Sequence, residues 1–359
     1  MSDRRHLLDL DPPALAEELA AWGAPAYRAE QILAGILHRR VSSFAEITEL
    51  PKEVRERLEE HFVVLAARES ARSEAPDGTC KLLLRWPDGA STETVMIPSE
   101  DHGRARRTVC LSTQVGCDVG CRFCASGIGG AVRDLTVGEV LEQAVRVDRL
   151  LRERSERLTH VVFMGMGEPL ANYEVTVEAV RRLNASWSLR IGQRRITVST
   201  VGLPKQIERF AEEGLQATLA LSLHAPNDAL RAELIPWARG ISLDKVLPAC
   251  RAYFERTGRE VTLEYCLLAG VNDRDAHADQ LAAIAKDLRA HVNLMMYNPV
   301  AGLPYERPSR NRAITFLKRL RASGARAHLR ESRGLEADAA CGQLRRRAET
   351  SRPEPATAE

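Results

Sequence analysis

From residue 108 onward the chain alternates short β-branched apolar runs with longer stretches whose apolar positions recur at helical spacing. The runs are TVCLST (108–113), HVVFMG (160–165), RITVST (195–200), ATLALSLH (217–224), VTLEYCLL (261–268), VNLMMYN (292–298) and ARAHLRES (325–332). Each has the length of a strand, and most are apolar enough to be covered on both faces. One helix between them announces its start: Thr136 and Glu139 form a capping box ahead of Val140, Leu141, Ala144, Val145 and Leu150. Repeated β-then-α units predict an α/β fold with a parallel sheet and outer helices, and seven strands suit a partial, TIM-like β/α barrel. Such a barrel carries its chemistry on the loops at the C-terminal ends of the strands.

The first 75 residues follow another pattern. YRAEQILAGILHRR places Tyr27, Ile32, Leu33, Ile36 and Leu37 on one apolar helical face, and Pro51 suits the first turn of PKEVRERLEEHF. Residues 1–75 therefore form a small helical accessory domain in this scheme. KLLLRW and TETVMIP flank Pro87-Asp88-Gly89, which predicts a hairpin in an extension over 76–107. The barrel occupies 108–345, and the polar, proline-bearing residues 346–359 are expected to be disordered.

Composition narrows the chemistry. The 359 residues, 44% hydrophobic and 28% charged, suffice for a sizeable core. No run approaches the roughly 20 apolar residues of a membrane span, and MSDRRHLLDLDPPALAEEL breaks any secretion-type apolar stretch. The expectation is a cytoplasmic protein with no membrane partner. Thiols stay reduced there, so eight cysteines point to metal binding or catalysis rather than structural disulfides. The net charge of +2 says nothing about nucleic acid. The basic runs RARR (104–107), KRLRASGARAHLRESR (from Lys318) and RRR (345–347) are candidates for phosphate contact, against their plainer reading as solvated faces.

Directly after the first barrel strand comes GCDVGCRFCASG, with Cys117, Cys121 and Cys124 spaced C-x3-C-x2-C. A structural zinc site needs a fourth ligand, and only Cys110 and His102 lie nearby, with no second C-x2-C pair. A 4Fe–4S cluster held by three cysteines instead leaves one iron open to a ligand. Both readings stand on spacing, and the second explains the missing fourth residue.

Cys117, Cys121, Phe123 and Cys124 resemble the cluster motif of the radical S-adenosylmethionine enzymes. VVFMGMGEPLANY, RRITVSTVGLP, LSLHAPND and ADAACGQL are similar to segments of the RlmN/Cfr family of RNA adenosine methyltransferases. The likeness runs from YRAEQILAGILHRRVSSFAEITELP to about residue 345. It implies a radical S-adenosylmethionine barrel with one 4Fe–4S cluster and two S-adenosylmethionine molecules per turnover. One methylates a protein cysteine. The other yields a 5′-deoxyadenosyl radical that removes hydrogen from that methyl group. The resulting methylene adds to an adenine carbon, and a second cysteine then forms a disulfide with the first, releasing methylated RNA. The implied partners are 23S rRNA near the peptidyl-transferase centre, tRNA beside the anticodon, and an electron donor such as flavodoxin or ferredoxin. Carbon 2 of adenosine is the expected target. Carbon 8 of the rRNA adenosine, which confers antibiotic resistance, is the alternative within the family, and a zinc-stabilised RNA-binding module without catalysis is the alternative outside it.

By this resemblance Cys341 carries the methyl group, Cys110 resolves the adduct and Glu93 is the general base that takes the proton from the adenine carbon. Gly167, Glu168, Ser199, Ser222, Leu223, His224 and Asn298 contact S-adenosylmethionine, with Gly165 in the same turn. On residue type alone Cys110 and Cys341 are also readable as buried thiols, Glu93 as a solvated strand residue and His224 as a hydrogen-bonded structural histidine. Cys80, Cys250 and Cys266 are read as buried apolar thiols. Leu335, Ala337 and the segment NLMMYNP depart from the family's usual residues without touching a reactive group.

Overall fold

The computed structural model describes residues 4–101 and 103–344. His102, Arg345–Arg347 and the proposed disordered tail at 346–359 therefore lie outside the described residues. The chain begins with β1 (Arg5–His6), followed by α1 (Pro12–Ala21), α2 (Arg28–Ala34) and α3 (Lys52–His61). β2 (Phe62–Val63) then returns to pair in parallel with β1. Asp11 starts α1 by accepting the Ala14 N–H at 2.9 Å, just ahead of two prolines that need no such acceptor. α2 continues into a π-helical turn over Gly35–Arg39, and the combined face buries Ile32, Leu33, Ile36 and Leu37. Tyr27 does not join them. The helix starts at Arg28, so Tyr27 caps it outside the helical register and is 59% exposed beneath the Arg28 guanidinium.

Helical structure ends at His61, and residues 68–74, counted above with the helical region, form strand β3 (Arg68–Glu74). RESARSE has no apolar side chain larger than alanine, so it shows neither period; it is the edge of a sheet. β4 (Cys80–Arg85), β5 (Ser91–Asp101) and β6 (Arg104–Cys110) extend it as an antiparallel meander, with the β4–β5 turn at Pro87-Asp88-Gly89. β6 starts four residues before the apolar run because RARR pairs with β5.

A short antiparallel pair, β7 (Gln114–Val115) with β8 (Arg133–Asp134), frames the cysteine loop. The β/α series follows: α4 (Val137–Glu153), β9 (His160–Phe163), α5 (Tyr173–Asn184), β10 (Ile196–Thr200), α6 (Pro204–Glu212), β11 (Thr218–Ser222), α7 (Asp228–Leu234), α8 (Leu243–Thr257), β12 (Thr262–Leu267), α9 (Asp275–Asp287), β13 (His291–Met296), α10 (Arg310–Ala322) and β14 (Arg326–Arg330). The sheet order is β14-β13-β12-β11-β10-β9-β6-β5-β4-β3, parallel from β14 to β6. The sheet curls far enough for residues of β5 and β6 to line common cavities with residues of β13 and β14. This is the partial β/α barrel that the alternation of patterns predicts. The capping box of α4 is formed, with Glu139 N–H on Thr136 Oγ1 at 3.2 Å and Thr136 N–H on Glu139 Oε2 at 3.0 Å. Among the described residues no helix is long and apolar enough to cross a membrane.

α4 also ties the N-terminal helices to the barrel. Glu142, fully buried, accepts from His6 Nε2 at 2.8 Å, the Ala66 and Ala67 N–H groups at 2.7 and 3.0 Å, and Arg146 Nε at 2.7 Å. His6 Nδ1 accepts the Leu8 N–H, which leaves Nε2 as the donor to the carboxylate.

Candidate active site

The loops at the C-terminal ends of β6, β9, β10 and β11 converge on one cavity. Cys117, Cys121 and Cys124 line it together with Gly167, Glu168, Ser199, Ser222, His224, Cys266 and Cys341. The turn after β9 reaches it through two glycines. A Cβ on Gly167, at φ +105°, would stand 2.7 Å from Thr113 Oγ1, and one on Gly165 would stand 2.7 Å from the Leu111 carbonyl oxygen. The glycines thus let this turn press against the segment after β6, a role within the fold rather than toward a ligand. Glu168 is buried, its Oε2 taking the Val201 N–H at 2.8 Å and its Oε1 the Leu170 N–H at 3.0 Å. Burial raises its carboxyl to about 7 against those hydrogen bonds, and a cation arriving in the cavity would draw it back toward the charged form.

His224 sits in a left-handed conformation, φ +53°, and its Nδ1 accepts the Cys266 N–H at 3.1 Å. Burial lowers it to about 3, so the ring stays neutral. It is a hydrogen-bonded histidine that also forms cavity wall. Ser199 donates to the Phe163 carbonyl at 2.7 Å. Leu223 is fully buried in the core and its side chain is not in the cavity wall; only its backbone lies at the strand end.

A second cavity adjoins the first, lined by Cys110, Met164, Asn298, Arg330 and Cys341 among others. Cys341 belongs to both cavities and Cys110 only to the second. The Cys110 thiol is pushed up to about 12 by burial, with Cys341 adding to the rise. Cys341 is exposed as a residue, but its surface faces the cavities, and the surrounding wall pushes its thiol up to about 11. Its loop is held by Asn298 Nδ2 on the Cys341 carbonyl at 3.0 Å, by Ala125 N–H on the Gly342 carbonyl at 2.8 Å, and by Ser126 Oγ on the Leu344 carbonyl at 2.6 Å. The residues just past the third cluster cysteine therefore anchor the loop that bears Cys341. All eight cysteines are free thiols, so no disulfide links Cys110 to Cys341 in this state.

Glu93 lines neither cavity. It is buried one layer away on β5, paired with Lys81 Nζ at 3.0 Å. The same ammonium donates to the Asp338 carbonyl at 2.9 Å, so Lys81 bridges Glu93 to the loop bearing Cys341. A charge-paired carboxylate under that loop replaces the solvated strand residue that its type alone suggests.

Pattern reading missed three residues. Cys266, set aside as an apolar thiol, is buried but lines the cluster cavity beside Cys341. Lys81 carried no signal, being one charge in KLLLRW. Glu264 carried one: it is the only charged residue of VTLEYCLL, and a parallel strand covered on both faces has no solvent side for it. It is buried, with Oε1 accepting from Asn293 Nδ2 at 2.8 Å and Oε2 without a hydrogen-bond partner among the described residues. Burial raises its carboxyl, and it faces both the cluster cavity and a polar cavity below.

The three motif cysteines fit a multi-iron group. Burial pushes the Cys117 thiol up to about 12 and the Cys121 thiol well above its usual range, with neighbouring thiols adding to each rise. Such thiols lose their protons only to a strongly cationic centre. Among the described residues no three histidine, cysteine or acidic side chains are arranged to hold a single metal ion, and Cys110, one of the two fourth ligands a zinc ion would need, lines the other cavity.

An open β/α barrel with three cysteines on its first loop defines the radical S-adenosylmethionine fold, and the model of the radical SAM superfamily matches residues 111–282. The model of the ribosomal RNA large subunit methyltransferase N-terminal domain matches residues 5–64. A crystal structure of a radical SAM methyltransferase from Sphaerobacter thermophilus superposes with a TM-score of 0.91 at 45% identity, covering 95% of this chain and 99% of that one. Two proteins described as probable dual-specificity RNA methyltransferase RlmN are similar over nearly the whole chain. The one from Thermosynechococcus vestitus is 48% identical over 92% of this chain and 96% of its own length. The one from Rhodopirellula baltica is 45% identical over 96% and 91%. The chain belongs to the RlmN family.

Proposed function

We propose that the protein methylates carbon 2 of adenosine in 23S rRNA near the peptidyl-transferase centre and in tRNA beside the anticodon, with Cys341 carrying the methyl group. The observation that carries this reading is the place of Cys341, in the wall of the cluster cavity and of the cavity that contains Cys110. One thiol can thus receive a group on one side and deliver it on the other, with the resolving thiol already there.

Cys117, Cys121 and Cys124 would hold the 4Fe–4S cluster, and Glu168, Ser199, Ser222, His224, the Leu223 backbone and the Gly165–Gly167 turn, with Asn298 from the adjoining cavity, would surround S-adenosylmethionine. When bound, these supply the methyl group and the radical that activates it, one S-adenosylmethionine for each task. The chain's own residues do the rest. Cys341 sulfur holds the methyl group, Asn298 fixes its backbone carbonyl, and the methylene left after hydrogen removal bonds to the adenine carbon. The adduct would give up one electron, for which the bound cluster is the acceptor, and Glu93, held by Lys81 behind the Cys341 loop, would take the proton from that carbon as the loop yields to RNA. The Cys110 thiol then gives up its proton and its sulfur bonds to Cys341 sulfur as the sulfur–carbon bond breaks; the carbon keeps the bonding pair and takes a proton to become the methyl group, which leaves methylated RNA and a disulfide to be reduced before the next turnover. Electrons come from a small donor protein such as flavodoxin or ferredoxin, and the substrates place the enzyme in the cytoplasm.

Mass spectrometry of nucleosides from RNA incubated anaerobically with reconstituted enzyme, reductant and S-adenosylmethionine tests the reading. 2-Methyladenosine is expected. 8-Methyladenosine would assign the alternative target within the family, and unmethylated RNA with an intact cluster would remove the activity altogether.

A further inference from the structure

Many of the surface arginines are matched to carboxylates. On the α9–α10 face Arg312 meets Asp275 at 2.7 Å and Arg319 meets Asp279 at 2.6 Å, and beside α5 Arg209 meets Glu174 at 2.7 Å. Single members of the basic runs are matched in the same way. Arg107 of RARR is held by Glu156, its Nε on Oε2 at 2.7 Å, and Arg326 of the C-terminal run pairs with Glu260 at 2.9 Å.

One region gathers several arginines that are not so matched. At the N-terminal ends of β9 and β10, on the side of the barrel opposite the cysteines, two depressions share Arg152, Arg157, Thr159 and Arg195 in their walls. Arg152 comes from the end of α4, Arg157 from the loop before β9 and Arg195 from the turn before β10. All three are exposed, and among the described residues none has a carboxylate at ion-pair distance. The acidic residues in these walls are already taken, Asp148 by Arg40 and Glu156 by Arg107. Arg190 adds a further guanidinium at one end. The plainest account, cations offsetting the negative ends of helices, covers Arg152 in the last turn of α4 but not Arg157 or Arg195, which lie beyond any long helix. Like charges gathered from three segments make a local positive potential that favours an anion between them.

We propose that this groove binds the phosphate backbone of a double-helical stem of the substrate RNA, away from the nucleotide that enters the active site. The inference rests on the RNA-methyltransferase reading. An acidic electron-donor protein fits less well: the groove is separated from the cysteine loop by the length of the strands, roughly 15 Å for five residues at about 3.3 Å each plus the loops, and a donor docked there would be remote from the cluster. A folded RNA is large enough to reach the groove and the barrel mouth together. Guanidinium–phosphate contacts of this kind position the RNA without reading its sequence.

The test compares the reconstituted holoenzyme with a groove variant, Arg152→Gln/Arg157→Gln/Arg195→Gln, and with a control of equal charge change elsewhere, Arg209→Gln/Arg251→Gln/Arg256→Gln. Binding of a full-length tRNA transcript and of its isolated anticodon stem-loop is titrated over a range of salt. The groove variant is expected to bind the full-length RNA at least ~10-fold more weakly, with the slope of log K against log salt reduced by about 2. Its stem-loop affinity and the control's affinity for both RNAs stay within about twofold of the parent, since neither change removes a phosphate contact. Equal loss in groove variant and control, equal loss for both RNAs, or no loss at all overturns the proposal. Failure of the parent enzyme to methylate RNA would instead contradict the functional reading, and the binding comparison would still report on the groove.

Discussion

Cys341 is exposed yet its thiol is pushed up to about 11, a pairing that makes its chemistry measurable. A thiol with its ionisation that high is almost wholly protonated at neutral pH, and only the thiolate attacks an alkylating agent. Alkylation of Cys341 by iodoacetamide, followed by peptide mass spectrometry, should therefore rise about tenfold per pH unit past pH 9 and level off near 11. A plateau near 8.5 would mean that the cavity wall does not desolvate the sulfur. The two thiols should also differ in what their loss does. Cys341→Ala should retain the cluster spectrum and lose RNA methylation, whereas Cys110→Ala should accumulate a covalent protein–RNA species visible on a denaturing gel, because the adduct has lost its resolving thiol. The cluster motif and Cys341 were legible in the sequence because cysteines grouped near a strand end, or set among small polar residues, stand out. Cys266 was not, because its neighbours Tyr265 and Leu267 look the same whether the face between them meets a core or a cavity.

At the scale of elements, the loop bearing Cys341 is a strap. It crosses left-handed positions at Gly334 and Asp338, and Lys81, Asn298, Ala125 and Ser126 hold it from different parts of the fold. Lys81→Met should free its middle. Hydrogen exchange at residues 334–341 should rise, and the rate of methyl transfer at saturating RNA should fall at least ~10-fold while KM changes little, with partial recovery in Lys81→Arg. Unchanged exchange would show that the ammonium holds Glu93 alone. The turn after β9 has the opposite character, being fixed by lack of space. Gly167→Ala combines a positive φ with a Cβ 2.7 Å from Thr113 Oγ1 and should cost about 2–3 kcal/mol, read as a drop in Tm of several degrees. The strands of the barrel were legible as β-branched runs at regular intervals. β3 was not, since an exposed edge of small and charged residues carries no hydrophobic period.

For the whole molecule, the junction between the N-terminal helices and the barrel passes through Glu142. Its burial alone would raise the carboxyl, but His6 and Arg146 outweigh that and hold it below the usual carboxylate range. A carboxylate depressed in the folded state contributes stability above its unfolded value of 4.5, and the contribution is lost as pH falls through the folded value. Acidification below about pH 4.5 should thus weaken the clasp, and Glu142→Ala, which strands four donors, the His6 ring and the Ala67 N–H among them buried, should destabilise the protein by roughly 3 kcal/mol at neutral pH. An unchanged Tm in that variant would mean that apolar packing alone joins the two parts. The clasp was not visible in the sequence, whereas one wall of the basic groove was singled out there, since RARR lines it. The clasp is assembled from residues far apart along the chain, and so is the rest of the groove: Arg152, Arg157 and Arg195 join RARR from three other segments, while Glu156 holds Arg107.

The central claim is that the methyl group travels through Cys341 and loses one hydrogen on the way. The most direct measurement uses S-adenosylmethionine with a fully deuterated methyl group and reads the isotope content of the methylated adenosine and of the 5′-deoxyadenosine by mass spectrometry. Transfer through Cys341 predicts two methyl-derived deuterium atoms in the nucleoside, with the third in 5′-deoxyadenosine. Three deuterium atoms in the nucleoside and none in 5′-deoxyadenosine would mean direct transfer of an intact methyl group and would contradict the account.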